Sequence, residues 1–136
     1  MITVEEALKI VHTHLGNWGT EEIFLDESLG RILQEEIVAD RDFPPFNRVT
    51  MDGIGLSFDQ FEKGQRVFEI KGVAPAGGLQ MELQDLSSCL EVMTGATVPI
   101  GVDAVIRYED LEIQEGKAKV MLSRLNRDQN IHVKGS

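Results

Sequence analysis

A chain of 136 residues, 42% of them hydrophobic, can bury a core of its own and is too apolar to stay disordered. Its net charge of −10, with 13 basic residues scattered among 23 acidic ones, excludes a nucleic-acid surface, because no positive field gathers phosphates. No run approaches the roughly 18–20 apolar residues of a bilayer span, and Met1-Ile2-Thr3-Val4-Glu5-Glu6 lacks the basic-then-apolar order of a signal peptide.

Thr3 and Glu6 have the spacing of a capping box, and Val4, Ala7, Leu8, Val11 and Leu15 then fall on one helical face. The pattern predicts a helix over 4–15, with Gly16 supplying a left-handed exit. His12 and His14 stand two apart, which a helix does not place on one side, so they read as surface residues. Glu22-Ile23-Phe24-Leu25 reads as a short strand. Asp26 can cap a brief helix closed by Gly30, and Ile32-Leu33 and Glu36-Ile37-Val38-Ala39 read as extended. In Asp40-Arg41-Asp42-Phe43-Pro44-Pro45-Phe46 the paired prolines fix two backbone angles and remove two amide donors. Such a stiff connector marks a domain junction.

From Phe46 to about Leu122 the chain reads as β-rich. Arg66–Val73, Ser88–Met93 and Ala104–Tyr108 are predicted strands, and Leu111-Glu112-Ile113 with Ala118–Leu122 forms a hairpin around Gln114-Glu115-Gly116-Lys117. Strands this short, without a βαβ rhythm, point to a small barrel or coiled sheet. The fold class is therefore mainly β with an N-terminal helix (α+β). A single cysteine, Cys89, excludes an internal disulfide and suits a reducing compartment, so a cytoplasmic location is expected.

Four places attract functional interest. In Met51-Asp52-Gly53 the Asp-Gly pair reads first as a turn. In Met93-Thr94-Gly95-Ala96 a strand ends in a hydroxyl residue and a glycine, an arrangement that serves either an ordinary turn or an anion nest. Ala74-Pro75-Ala76-Gly77-Gly78 is a small-residue loop, and Gln129–Gly135 reads as a frayed terminus carrying amides and basic groups. No nucleophile–His–acid set, no Cys/His metal spacing, no P-loop and no dinucleotide fingerprint is present. With so acidic a chain, an anion site would draw on backbone amides, a divalent cation, or basic residues from elsewhere.

The succession Leu29-Gly30-Arg31-Ile32-Leu33, Asp42-Phe43-Pro44-Pro45-Phe46, Met51-Asp52-Gly53, Pro75-Ala76-Gly77, Val92-Met93-Thr94-Gly95-Ala96, Pro99–Val105 and Gln129-Asn130-Ile131 resembles one family. Nearly the whole chain is similar to the N-terminal half of the bacterial molybdopterin molybdenumtransferases, the MoeA family related to the C-terminal domain of gephyrin. The resemblance implies an enzyme that takes adenylylated molybdopterin, removes the nucleotide and inserts molybdate with support from Mg2+, whose ligands lie outside this chain. It implies an elongated lobe of residues 1–46 and 123–136, and an inserted β-rich, barrel-like domain of 47–122. It also implies a homodimer whose cleft is completed by a larger α/β domain of the other subunit, and contacts with other proteins of the cofactor pathway. Asp52 and Thr94 match the family's catalytic positions, with Met51, Gly53, Gly95 and Ala96 beside the substrate. The family usually has Ser where this chain has Val49, an aromatic residue where it has Ile54, and arginines and acidic residues where it has His132-Val133-Lys134-Gly135-Ser136. A reading of a different class, a non-catalytic β-rich docking module, fits the same folding pattern.

Overall fold

In the computed structural model, which describes residues 2–136, the first helix, α1 (Val4–Thr13), begins at the expected capping box. The Thr3 amide donates to Glu6 Oε2 at 2.8 Å and the Glu6 amide to Thr3 Oγ1 at 3.2 Å. The helix ends two residues earlier than its apolar stripe predicts. Thr13 Oγ1 donates to the Ile10 carbonyl at 2.8 Å, and His14 Nδ1 lies 2.8 Å from the same oxygen. Side chains thus serve the last turn, and the left-handed residue is Gly19, not Gly16.

Leu25–Glu27 is a single 3₁₀ turn, and the expected strands at 22–25, 32–33 and 36–39 do not form. An extended segment becomes a strand only by pairing, and this stretch finds no partner among the described residues. Contacts divide the chain into a unit ending at Val38 and a unit Ala39–Ser136. In the first unit neither α1 nor the 3₁₀ turn has a buried residue. No helix among the described residues is long and apolar enough to cross a membrane.

The second unit is built on a curled six-stranded sheet of order β5-β2-β4-β3-β7-β6. Its strands are β2 (Gly53–Leu56), β3 (Val67–Ala74), β4 (Cys89–Val92), β5 (Ala104–Arg107), β6 (Leu111–Gln114) and β7 (Lys117–Val120). All neighbours are antiparallel except β3 and β4, whose parallel register shifts between Ile70 and Val73. The predicted hairpin closes as β6–β7 through Glu115 (φ 51°) and Gly116 (φ 72°), the two positive angles of a type I′ turn. Sequence reasoning missed β2 and the short helix α2 (Phe58–Glu62). β2 is central, yet its Gly-Ile-Gly-Leu sequence looks like a turn.

Successive residues of β4 and β5 bury on opposite faces. Cys89, Ala104 and Ile106 join Ile54, Leu56, Phe61 and Phe68 in one core. Leu90, Val92 and Val105 join Val49, Ala96, Val98 and Val102 in the other. The strands are covered on both faces, and the site residues stand at their ends. Residues 123–136 fall in this second unit. Leu125 enters the first core, and β8 (Ile131–His132) pairs antiparallel with β1 (Arg48–Val49). The segment read as a frayed terminus is therefore partly a paired strand.

Candidate functional site

Gly53, the first residue of β2, pairs with Val92 on one side and Arg107 on the other. The residue before it, Asp52, is therefore flanked by the chain leaving β4 at Met93-Thr94 and the chain leaving β5 at Tyr108. The Tyr108 amide donates to the Asp52 carbonyl at 3.2 Å. On the other side the Thr94 amide (2.6 Å) and Thr94 Oγ1 (2.8 Å) both donate to Asp52 Oδ1. The two residues singled out from sequence, 42 positions apart, thus meet side by side in a solvent-open groove of about 270 Å³ lined by Met51, Asp52, Thr94, Arg107, Tyr108 and Glu109.

The Asp-Gly pair is no turn. Gly53 is required because a Cβ there would sit 1.9 Å from the Ile106 carbonyl oxygen and 2.7 Å from the Arg107 Cα. Only a residue without a side chain lets β5 come this close to β2. Gly53 and Ala96 are buried and do not line the groove. Gly95 is left-handed (φ 90°) and its amide donates to Val49 O at 2.9 Å, while the Ala96 amide donates to Met93 O at 2.9 Å. With the Thr94 amide committed to Asp52, the three amides of this loop are all used internally, so it is not an open anion nest. Met51 does line the groove, 40% exposed. Of the six residues proposed from sequence, Asp52, Thr94 and Met51 border the open space, and Gly53, Gly95 and Ala96 shape the backbone that presents them.

The Thr94 amide, and after it the Thr94 hydroxyl, hold the Asp52 carboxyl below the usual carboxylate range. Asp52 is thus ionised at neutral pH, with Oδ2 unpartnered among the described residues. Burial, and then the hydrogen bond from its hydroxyl to Glu91 Oε1 at 3.1 Å, raises Tyr108. Arg107 donates through Nε to Asp110 Oδ2 at 2.7 Å. Sequence reasoning passed over Arg107 and Tyr108 as a strand end and gave Glu109 no reading; their place in the site follows from the Gly53–Arg107 register, which no local pattern announces. Val49 and Ile54, the two departures beside Met51-Asp52-Gly53, are both fully buried, so neither changes the groove lining. The Pro75–Gly78 loop lies nearby, with Ala76 Cβ 3.7 Å from where a Gly95 side chain would begin. Asn130 is a structural residue: its carbonyl accepts from the Thr50 amide and its Nδ2 donates to Val105 O, both at 3.0 Å. No group of three or more His, Cys, Asp or Glu among the described residues is placed to hold a metal ion.

Comparison with known proteins identifies the family. A family described as MoeA N-terminal region (domain I and II) matches residues 2–136. The molybdopterin molybdenumtransferase of Synechocystis sp. is 43% identical over 124 residues, covering 91% of this chain and 32% of that protein. The molybdopterin molybdenumtransferase of Staphylococcus epidermidis is 35% identical over 112 residues, covering 79% of this chain and 27% of that protein. The crystal structure of the molybdopterin biosynthesis moeA protein from Pyrococcus horikoshii OT3 superimposes with a TM-score of 0.72 at 28% identity, over 100% of this chain and 37% of that one. The chain thus spans about a third of the length of the relatives it matches.

Proposed function

The chain belongs to the MoeA N-terminal region family, spanning its domains I and II, and on that premise we propose that it supplies one half of a composite active site that inserts molybdate into adenylylated molybdopterin. The observation that carries this reading is the Asp52–Thr94 pair: a carboxylate oriented by two hydrogen bonds from a residue 42 positions away, facing open space. A carboxyl held below the usual range is badly matched to proton transfer near neutral pH, where an efficient acid or base titrates. Asp52 therefore works as a fixed negative charge. Through Oδ2 it orients a hydrogen-bond donor on the reacting group, a water or a protonated oxygen of the molybdate, at a defined distance from the Thr94 hydroxyl. The cost of orienting the carboxylate is met in folding, not at the moment of reaction.

The other half of the site is assigned to the larger α/β domain of a second subunit in a cytoplasmic homodimer that works beside other proteins of the cofactor pathway. Mg2+ supports the reaction by neutralising phosphate charge. Its ligands are assigned outside this chain, as the family resemblance implies, and no step here depends on it. The division into a lobe of 1–46 with 123–136 and an insert of 47–122 belongs to the same proposal. The docking-module reading gains no support, because it gives a preorganised carboxylate in a groove nothing to do.

The test is Asp52→Asn in the full-length protein. It keeps the shape and removes the charge, and is expected to cut molybdate insertion by about a hundredfold or more while leaving the melting temperature within about 2 °C, since the group is exposed. Turnover at the parental rate would remove Asp52 from the mechanism.

A further inference from the structure

Acidic groups outnumber basic ones around the groove. Asp52 and Glu109 line it, Asp110 stands behind it, and Arg107 is the one cation among its lining residues. The substrate of the reading above carries tetrahedral oxyanions, as phosphate ester and as molybdate. Any contact that this wall itself makes to such an anion has to offset two carboxylates. The backbone cannot do it, because the amides of Thr94, Gly95 and Ala96 are spent on Asp52, Val49 and Met93.

Arg107 has the geometry that remains. Its backbone is fixed by the close pairing with Gly53 and by the Tyr108 amide on the Asp52 carbonyl. Its guanidinium is held from one edge only, Nε to Asp110 Oδ2 at 2.7 Å, and the side chain is still 46% exposed. Asp110 is itself anchored, its carbonyl accepting from the Met121 amide at 3.0 Å. Both Nη groups are left without a partner among the described residues. A guanidinium pinned through Nε presents its outer pair of donors as a fixed fork, the arrangement that matches two oxygens of a tetrahedral anion. A free surface arginine would have to be ordered first.

We propose that Arg107 is the oxyanion-contacting residue of this wall, and that Asp110 is the positioning residue that aims it. The inference rests on the proposed function for the identity of the ligand, and it adds a residue that the family resemblance did not assign. The contact is to bound substrate, so it bears on affinity more than on the chemical step.

Steady-state kinetics of the full-length protein test it, with KM measured separately for the adenylylated pterin and for molybdate. Arg107→Met is expected to raise one of these KM values about tenfold to a hundredfold, as for loss of one charge-assisted contact, with kcat changed less than about threefold. Arg107→Lys recovers only part of that loss, because an ammonium cannot bond Asp110 and the ligand in the same plane. Asp110→Asn raises the same KM by a smaller factor. The substrate whose KM moves identifies the source of the anion. If Arg107→Met leaves both KM values unchanged in a protein of unchanged melting temperature, the inference is overturned. That outcome, with Asp52→Asn still inactive, leaves the proposed function standing; a raised KM with Asp52→Asn fully active does the reverse.

Discussion

Helix α1 and strand β2 answer to their neighbourhoods in opposite ways. The helix carries a complete capping box and an apolar stripe, the strongest local signals in the chain, yet none of its residues is buried in the unit that ends at Val38. β2 carries two glycines and reads as a turn, yet every one of its residues is buried between β4 and β5. Local pattern determines whether an element forms and which face is apolar. Whether that face is covered depends on contacts from distant sequence, and β2 has them from residues 35 to 54 positions away. The candidate site is found at the covered element: Asp52 is oriented because β2 is locked on both sides.

The largest effect that sharpens this contrast comes from truncating one apolar side chain in each unit. Phe68, fully buried in the first core, is expected to cost about 3–5 kcal/mol on change to alanine, through lost transfer energy and the cavity left behind. Leu8 on the apolar stripe of α1 is 54% exposed, and Leu8→Ala is expected to cost less than about 0.5 kcal/mol. Urea denaturation of the 136-residue chain reads both. A cost near 2 kcal/mol at Leu8 would break the contrast, by showing that the stripe is buried in solution.

The same contrast explains what was legible beforehand. The capping box, β3, β4, β5 and the β6–β7 hairpin were readable because each depends on spacing within a few residues. The β1–β8 pairing was not, because Arg48 and His132 lie far apart in the chain and each segment is two residues long. The Asp52–Thr94 convergence was reached only through a family likeness, since its cause is the register of three strands. Arg107 escaped even that, because nothing in Ala-Val-Ile-Arg-Tyr marks its last two residues as neighbours of Asp52. The 22–25 segment failed in the other direction: it has a strand's composition and no partner.

A smaller effect separates the glycines of the two units. Gly53→Ala is expected to destabilise the chain by about 3 kcal/mol, because the new Cβ meets backbone at 1.9 Å and β5 has to move. Gly30 in the first unit is left-handed (φ 80°) with nothing within 4 Å of an added Cβ. Gly30→Ala should therefore cost only the left-handed penalty, about 1 kcal/mol. Thermal denaturation should rank them in that order, and Gly53→Ala should also lose the Asp52–Thr94 hydrogen bonds as β2 shifts. Equal costs would mean that β2 and β5 relax apart more easily than their packing on two faces allows.

The smallest effect concerns two carboxylates that look alike and are held differently. Glu6 is lowered by the Thr3 amide and then the Thr3 hydroxyl, and Asp52 by the Thr94 amide and then the Thr94 hydroxyl. One pair spans three residues and the other 42. For both, the folded carboxyl titrates below its unfolded value. Its stabilisation is therefore complete above the ordinary carboxylate range, about pH 4, and is lost as pH falls through the folded value. The pairs part company on unfolding. A turn of helix at Thr3–Glu6 can persist in a denatured chain, whereas Asp52 keeps Thr94 only while β2, β4 and β5 are assembled. NMR titration of the side-chain carboxyl carbons should find both groups depressed in the folded protein. Thr94→Val should move Asp52 upward only part of the way, since valine keeps the amide that is the larger cause. In urea Asp52 should return fully to the ordinary range, with Glu6 returning less completely. An Asp52 that stays depressed in urea would mean that its ionisation is set locally by Met51-Asp52-Gly53, and that strand register has no part in preparing the site.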